Sequence, residues 1–197
     1  MVVFAPYSNF WPPSGKPRPY VGVFDQCTFV TDNAYLHSDR FSSFIEMTGV
    51  DGVNIAGTTF TNTQTIDGTT AKDWGYGIEA NDAGFYVKPA SLSATAAHST
   101  FSGLGCGIYA LKLSTNRPYV AMQCDFNECF TGIRNSRVSG STIILNNFNI
   151  GKAPKMLTPT QKLEGVIFEQ DITGFTCEEN HFTAVSGPSG VQTVGTV

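Results

Sequence analysis

Apolar residues in this chain recur in short alternating bursts, not at helical intervals. Segments such as "VNIAG" (53–57) and "TIILN" (142–146) alternate apolar and polar positions over a strand's length, as expected where successive side chains point to opposite faces of a sheet. No window sustains apolar residues at i, i+3, i+4 and i+7, so the pattern predicts strands joined by turns.

A longer period lies above this one. "FDQCTF" ends at Phe29, "IAGTTF" at Phe60, "AAHSTF" at Phe101, "AMQCDF" at Phe126, "IILNNF" at Phe148 and "CEENHF" at Phe182. Each sets a small or apolar residue five positions before the Phe. Gly followed by Ile or Val recurs at Gly77-Ile78, Gly107-Ile108, Gly132-Ile133 and Gly165-Val166. The closest phrases are 25 residues (Phe101 to Phe126) and 22 residues (Phe126 to Phe148) apart. Longer intervals contain stretches such as "NTQTIDGTTAKDWGY" (62–76) and "GKAPKMLTPTQKLEG" (151–165). A period in the low twenties with insertions confined to corners describes a solenoid.

In such a solenoid the coils stack at about 4.8 Å. Phe29, Phe60, Phe101, Phe126, Phe148 and Phe182 are then expected to pile into an internal ladder. Two residues before each Phe stand Cys27, Thr58, Ser99, Cys124, Asn146 and Asn180. All are small or polar, which suits an inward side chain bonding the backbone of a tight corner. Asn146 and Asn180 are expected to begin an asparagine ladder. Each Gly before Ile or Val is read as the point where a strand starts after a sharp turn.

The phrases "VDGVNIAGTTFTN" (50–62), "CDFNECFTGI" (124–133) and "STIILNNFNI" (141–150) resemble the right-handed parallel β-helix, the pectate-lyase-like superfold. The resemblance covers residues 20–185 and implies an all-β solenoid of about six coils with corner insertions. Such repeats are common in secreted bacterial surface proteins, which implies a secreted or cell-surface location, although the chain shows no signal peptide of its own. Residues 1–19 read as a Pro-rich lead-in segment, since 6–20 contain five prolines and regular structure excludes most of them. Residues 186–197 read as a tail or a continuation into another module.

Composition narrows the partners. Only 14% of residues are charged and the net charge is −4, against roughly a quarter charged in a typical domain. No basic stripe is present to release counterions, so no nucleic acid is expected. The apolar runs are too short for membrane insertion. Five cysteines lack C-x-x-C spacing and a histidine at zinc-ligand spacing, so they read as buried structural thiols.

Aligning the coils collects a polar strip. One residue after each Gly-Ile pair stand Glu79, Tyr109 and Arg134; four residues after stand Asp82, Lys112 and Arg137. Mixed charges beside an aromatic ring suit a polysaccharide lying across stacked strands. Lyases of the resembled superfold place acidic calcium ligands beside an Arg or Lys base. That makes Arg134, Arg137 and Lys112 the catalytic candidates if the chain is an enzyme. Glu169 and Asp171 alternate, and on one strand face they would together hold a hard cation such as calcium; no cofactor is otherwise required.

The hydrolase signatures of the superfold (Asn-Thr-Asp, Asp-Asp, His-Gly, Arg-Ile-Lys) are missing, and there is no Gly-x-Ser-x-Gly elbow. His37, His98 and His181 lie far apart. The expectation is therefore a non-catalytic structural or adhesive β-helical segment with glycan partners. The alternatives are a lyase or hydrolase acting on a uronate polysaccharide, and a self-assembling fibre or phage tailspike-like subunit. The last rests on the lack of capping helices, which leaves strand edges for further modules or end-to-end self-association.

Overall fold

The computed structural model describes residues 2–4, 22–33, 42–64, 74–150 and 164–184. The Pro-rich stretch 6–20 and the tail 186–197 lie outside these. Among the described residues, eighteen strands form three parallel sheets of six. The first sheet contains β1 (Val2–Phe4), β4 (Ser43–Thr48), β7 (Tyr76–Asn81), β10 (Cys106–Leu111), β13 (Thr131–Ser136) and β16 (Glu164–Glu169). The second contains β2 (Gly22–Asp25), β5 (Asp51–Ala56), β8 (Gly84–Lys88), β11 (Val120–Met122), β14 (Thr142–Ile144) and β17 (Thr176–Glu178). The third contains β3 (Thr28–Thr31), β6 (Thr59–Asn62), β9 (Ser99–Ser102), β12 (Cys124–Asn127), β15 (Asn147–Ile150) and β18 (His181–Ala184).

Every strand pairs with the strand three places away in sequence, so the chain winds through the three sheets in turn and completes six coils. This is a parallel β-helix. Its first strand falls inside the 1–19 segment, where Val2, Val3 and Phe4 pair with Glu46, Met47 and Thr48. The winding therefore starts before residue 20.

The interior follows the repeat. Phe29, Phe60, Phe101, Phe126, Phe148 and Phe182 are in register across the third sheet. Their rings stack nearly parallel, with centroids 5.2 Å apart at the first step and 4.8 Å at each later one. That spacing is the coil pitch itself. Ile45, Ile78, Ile108, Ile133 and Val166 form a second inward column on the first sheet.

The glycines before Ile have a different purpose from the one the sequence suggests. None of Gly77, Gly107, Gly132 and Gly165 has a positive φ. A Cβ on Gly107 would lie 2.6 Å from the Phe126 ring and 2.6 Å from the Gly132 carbonyl oxygen. Gly77 and Gly132 meet Phe101 and Phe148 in the same way. The ladder ring of each coil thus sets one edge against the glycine of that coil, and close approach excludes a side chain. In the second coil Phe44 occupies this place and packs against Phe29 and Phe60 at 5.9 and 6.1 Å.

The corners carry the backbone strain. Between the second and third sheets, Gln26, Gln123, Leu145 and Glu179 adopt left-handed φ values of 50 to 58°, each disfavoured for a residue with a Cβ. The following residue supplies the compensation. Asn146 Oδ1 accepts from the Cys124 amide at 2.9 Å, and Asn146 Nδ2 donates to the Ala121 carbonyl at 3.0 Å. Asn180 repeats this one coil on, accepting from the Asn146 amide at 3.0 Å and donating to Ile143 O at 2.8 Å. Asn146 Nδ2 also donates to Asn180 Oδ1 at 2.9 Å, so the two amides form the expected ladder. Ser99 and Thr58 fill the same role with hydroxyls.

Candidate functional site

The polar strip lies on the outer face of the first sheet. Parallel register places Glu46, Glu79, Tyr109, Arg134 and Ile167 in one column, each beside the next. Tyr76 lies in a separate column, three residues before Glu79 on the same strand. Its ring centroid is 5.6 Å from that of Tyr109, at an interplanar angle of 47°. Short parallel strands produce this face because their pitch keeps every outward residue about 4.8 Å from its equivalent.

Arg134 is the most constrained member. Its Nε donates to Glu169 Oε2 at 3.0 Å and its Nη2 to Glu169 Oε1 at 2.7 Å, a fork-to-fork pair. The guanidinium also sits 5.5 Å from the Tyr109 ring centroid, within cation–π range. The hydrogen bonds that Arg134 donates to Glu169 raise the Arg134 pKa further, and the same bonds hold the Glu169 carboxyl below its ordinary value. A group fixed in this way is a permanent cation; it is poorly suited to accept a proton from a substrate. Burial raises both tyrosine phenols, Tyr76 and Tyr109, so neither ionises near neutrality.

Asp82, Lys112 and Arg137 form a separate column at the corner between the first and second sheets. Their amides donate to Leu111, Ser136 and Glu169 carbonyls at 2.9, 3.0 and 3.1 Å. Asp82 and Arg137 have φ values of 49 and 66°, which turns them off the strand face that carries Tyr109. Asp82 caps the loop that follows β10. It accepts from the amides of Leu113 at 2.7 Å, Ser114 at 3.0 Å and Thr115 at 3.1 Å, and from the Ser114 hydroxyl at 2.6 Å. Desolvation pushes its carboxyl upward, but the bonds from Ser114, Leu113 and Thr115 outweigh it and leave the pKa below the ordinary value. Arg137 Nε donates to Gln170 Oε1.

Glu169 and Asp171 do not share a strand face. The strand β16 ends at Glu169, and Gln170 has a φ of 66°, so the alternation breaks between them. Glu169 is committed to Arg134. Among the described residues, no three His, Cys, Asp or Glu side chains converge as a metal site.

Two members of the face were hidden in the sequence. Glu46 precedes Glu79 in the column, but the phrase before it reads Phe44-Ile45, not Gly-Ile, which masks the equivalence. The usable signal was the Ile-Glu pair shared by 45–46 and 78–79. Tyr76 stands just before Gly77, a position the alignment did not sample.

On the third sheet, His98 Nδ1 lies 3.1 Å from Asp125 Oδ2, and Asn147 Nδ2 donates to Asp125 Oδ1 at 2.7 Å. These contacts span three coils and pin the outer face. The cysteines are free thiols. Cys106, Cys124 and Cys129 are buried, and burial pushes their pKa values up, to about 12 for Cys129. They are inert core residues.

Compared with known proteins, the chain matches no family model, no curated protein and no solved structure.

Proposed function

We propose that the chain is a non-catalytic β-helical module of a secreted or cell-surface protein, structural or adhesive in role, that binds glycan along the outer face of the first sheet. The observation behind this reading is the bidentate Arg134–Glu169 pair beside Tyr109 and Tyr76. The arginine that a lyase would need as a base is held as a cation, and Asp82 is spent on capping a loop. What the face offers is a rigid surface of rings, carboxylates and a guanidinium on a fixed pitch. Aromatic rings with flanking polar groups are suited to the apolar and hydroxyl faces of a sugar.

The test is calorimetric titration of the full chain with neutral, acidic and amine-bearing oligosaccharides, run beside an absorbance assay for unsaturated uronate product. Binding without product, weakened by Tyr109→Ala, is the expected result. Product formation abolished by Arg134→Ala would establish a lyase and overturn the proposal.

A further inference from the structure

The third sheet offers a surface of a different kind, independent of the glycan reading. The residues on either side of each ladder phenylalanine point outward and form two columns, in register across six strands. The first three coils supply Thr28 and Val30, Thr59 and Thr61, and Thr100 and Ser102. Asp125 and Asn127, then Asn147 and Asn149, continue the columns, and His181 and Thr183 end them. None of these side chains is buried, and none is Lys, Arg, Glu, Tyr, Trp or Phe.

This face is also flat. Successive ladder rings beneath it turn by only 4 to 9° from coil to coil, against about 20–25° between neighbouring strands of an ordinary sheet. The columns therefore stay in line over the stack instead of fanning out. Along a column the repeat is the 4.8 Å of the rings. Across the columns, two residues of extended chain set the side chains about 6.6–6.8 Å apart. Threonine has a stiff χ1 because its Cβ is branched. The Asn149 amide donates to Asn127 as that of Asn147 does to Asp125. The groups are thus held on a rectangular grid before any ligand arrives.

Such a grid fits a ligand that is itself a lattice. A sugar favours a ring to stack on, and a protein partner favours aromatic, Met or Arg anchors; this face has none of them. Hydroxyls and amides both donate and accept, so they enter a hydrogen-bonded network of water. The methyls of Thr and Val restrict the orientation of the water beside them. The two grid spacings lie close to the oxygen repeats on the prism face of hexagonal ice.

We infer that the outer face of the third sheet binds ice, with the Thr-rich first three coils as its centre and Asn127 and Asn149 extending it. No pocket is needed, because the affinity comes from many weak contacts made at once. A rigid face also loses little freedom on binding.

The experiment holds a single ice crystal in a solution of the full chain and compares its melting and freezing points. A gap between the two that widens with protein concentration, and a faceted crystal, are expected. Thr61→Tyr, which sets a bulky residue of good strand preference into the grid, is expected to remove most of the gap. Thr61→Val keeps the shape and is expected to keep most of it. Circular dichroism and thermal midpoints check that both variants fold, and Thr59→Tyr gives the same reading on the neighbouring column if Thr61→Tyr does not. Leu92→Lys, on an 84% exposed loop position after β8, is the control and is expected to change nothing. No gap, a gap that Thr61→Tyr and Thr59→Tyr leave intact, or one that Leu92→Lys reduces equally, overturns the inference. Retention on crystalline cellulose without any effect on ice overturns it too. The glycan reading concerns the first sheet, so it stands or falls separately.

Discussion

The inside and the outside of this solenoid obey the same pitch with opposite freedom. Along the inward column of the third sheet, all six coils place a phenylalanine, and the six rings stack in five steps of 5.2 Å or less. Along the outward column of the first sheet, the five successive residues are Glu46, Glu79, Tyr109, Arg134 and Ile167, with only the first two alike. An inward ring must fit the rings above and below it and the glycine at its edge, so one coil dictates the next. An outward side chain meets only its two neighbours and solvent, so each coil is free to differ. Repetition therefore marks what holds the fold together, and variation marks where a ligand could be recognised.

Four substitutions and one titration sharpen or break this contrast. Phe126→Ala is expected to cost most, about 3–5 kcal/mol, because Phe126 is buried between Phe101 and Phe148 at 4.8 Å on each side. Denaturant unfolding measures it, and a loss under about 1 kcal/mol would mean that the ladder is not the core.

Gly132→Ala comes next, at about 1–3 kcal/mol. Its new Cβ would meet the Phe148 ring and the Gly165 carbonyl at 2.6 Å, and neither can move without shifting a coil. An unchanged unfolding midpoint would show that glycine is present there for some other reason. Asn146→Ala follows at about 2 kcal/mol, from the Cys124 amide and the Ala121 carbonyl left buried without partners. Amide hydrogen exchange at Cys124 is expected to accelerate in that variant.

The outer face is expected to respond far less. Arg134→Ala is expected to change stability by less than about 1 kcal/mol, because the pair with Glu169 is partly exposed and screened. A core-sized loss would place the face among the structural elements.

The smallest effect is a pH dependence. Asp82 has a depressed carboxyl pKa in the fold. Its contribution is therefore complete above the unfolded carboxyl value of about 3.9 and disappears as the pH falls through the lower folded value. Asn tolerates a left-handed backbone, so Asp82→Asn isolates the charge. Thermal midpoints of the two proteins are expected to differ slightly at neutral pH and to converge in acid.

Much of this architecture could be read from spacing. The phenylalanine phrases and the Cys27 to Asn180 corner residues were visible because every coil must solve the same packing problem. The role of the glycines was misread for a physical reason: flexibility and close approach both select glycine, and only coordinates distinguish a positive φ from a ring lying 2.6 Å from an absent Cβ. Glu46 escaped because Phe44 replaces glycine in the second coil, where Phe29 and Phe60 leave room for another ring. Glu169 and Asp171 looked alike by parity, which holds only while a strand continues; Gln170 turns the chain between them.

The linear order of residues determined the coil, its pitch and its inner columns, because those follow from periodic burial along one dimension. Which charges neutralise one another was decided only in three dimensions. Arg134 and Glu169 lie 35 residues apart in sequence, and they meet because adjacent coils bring strand ends together whatever the length of chain looped out between them.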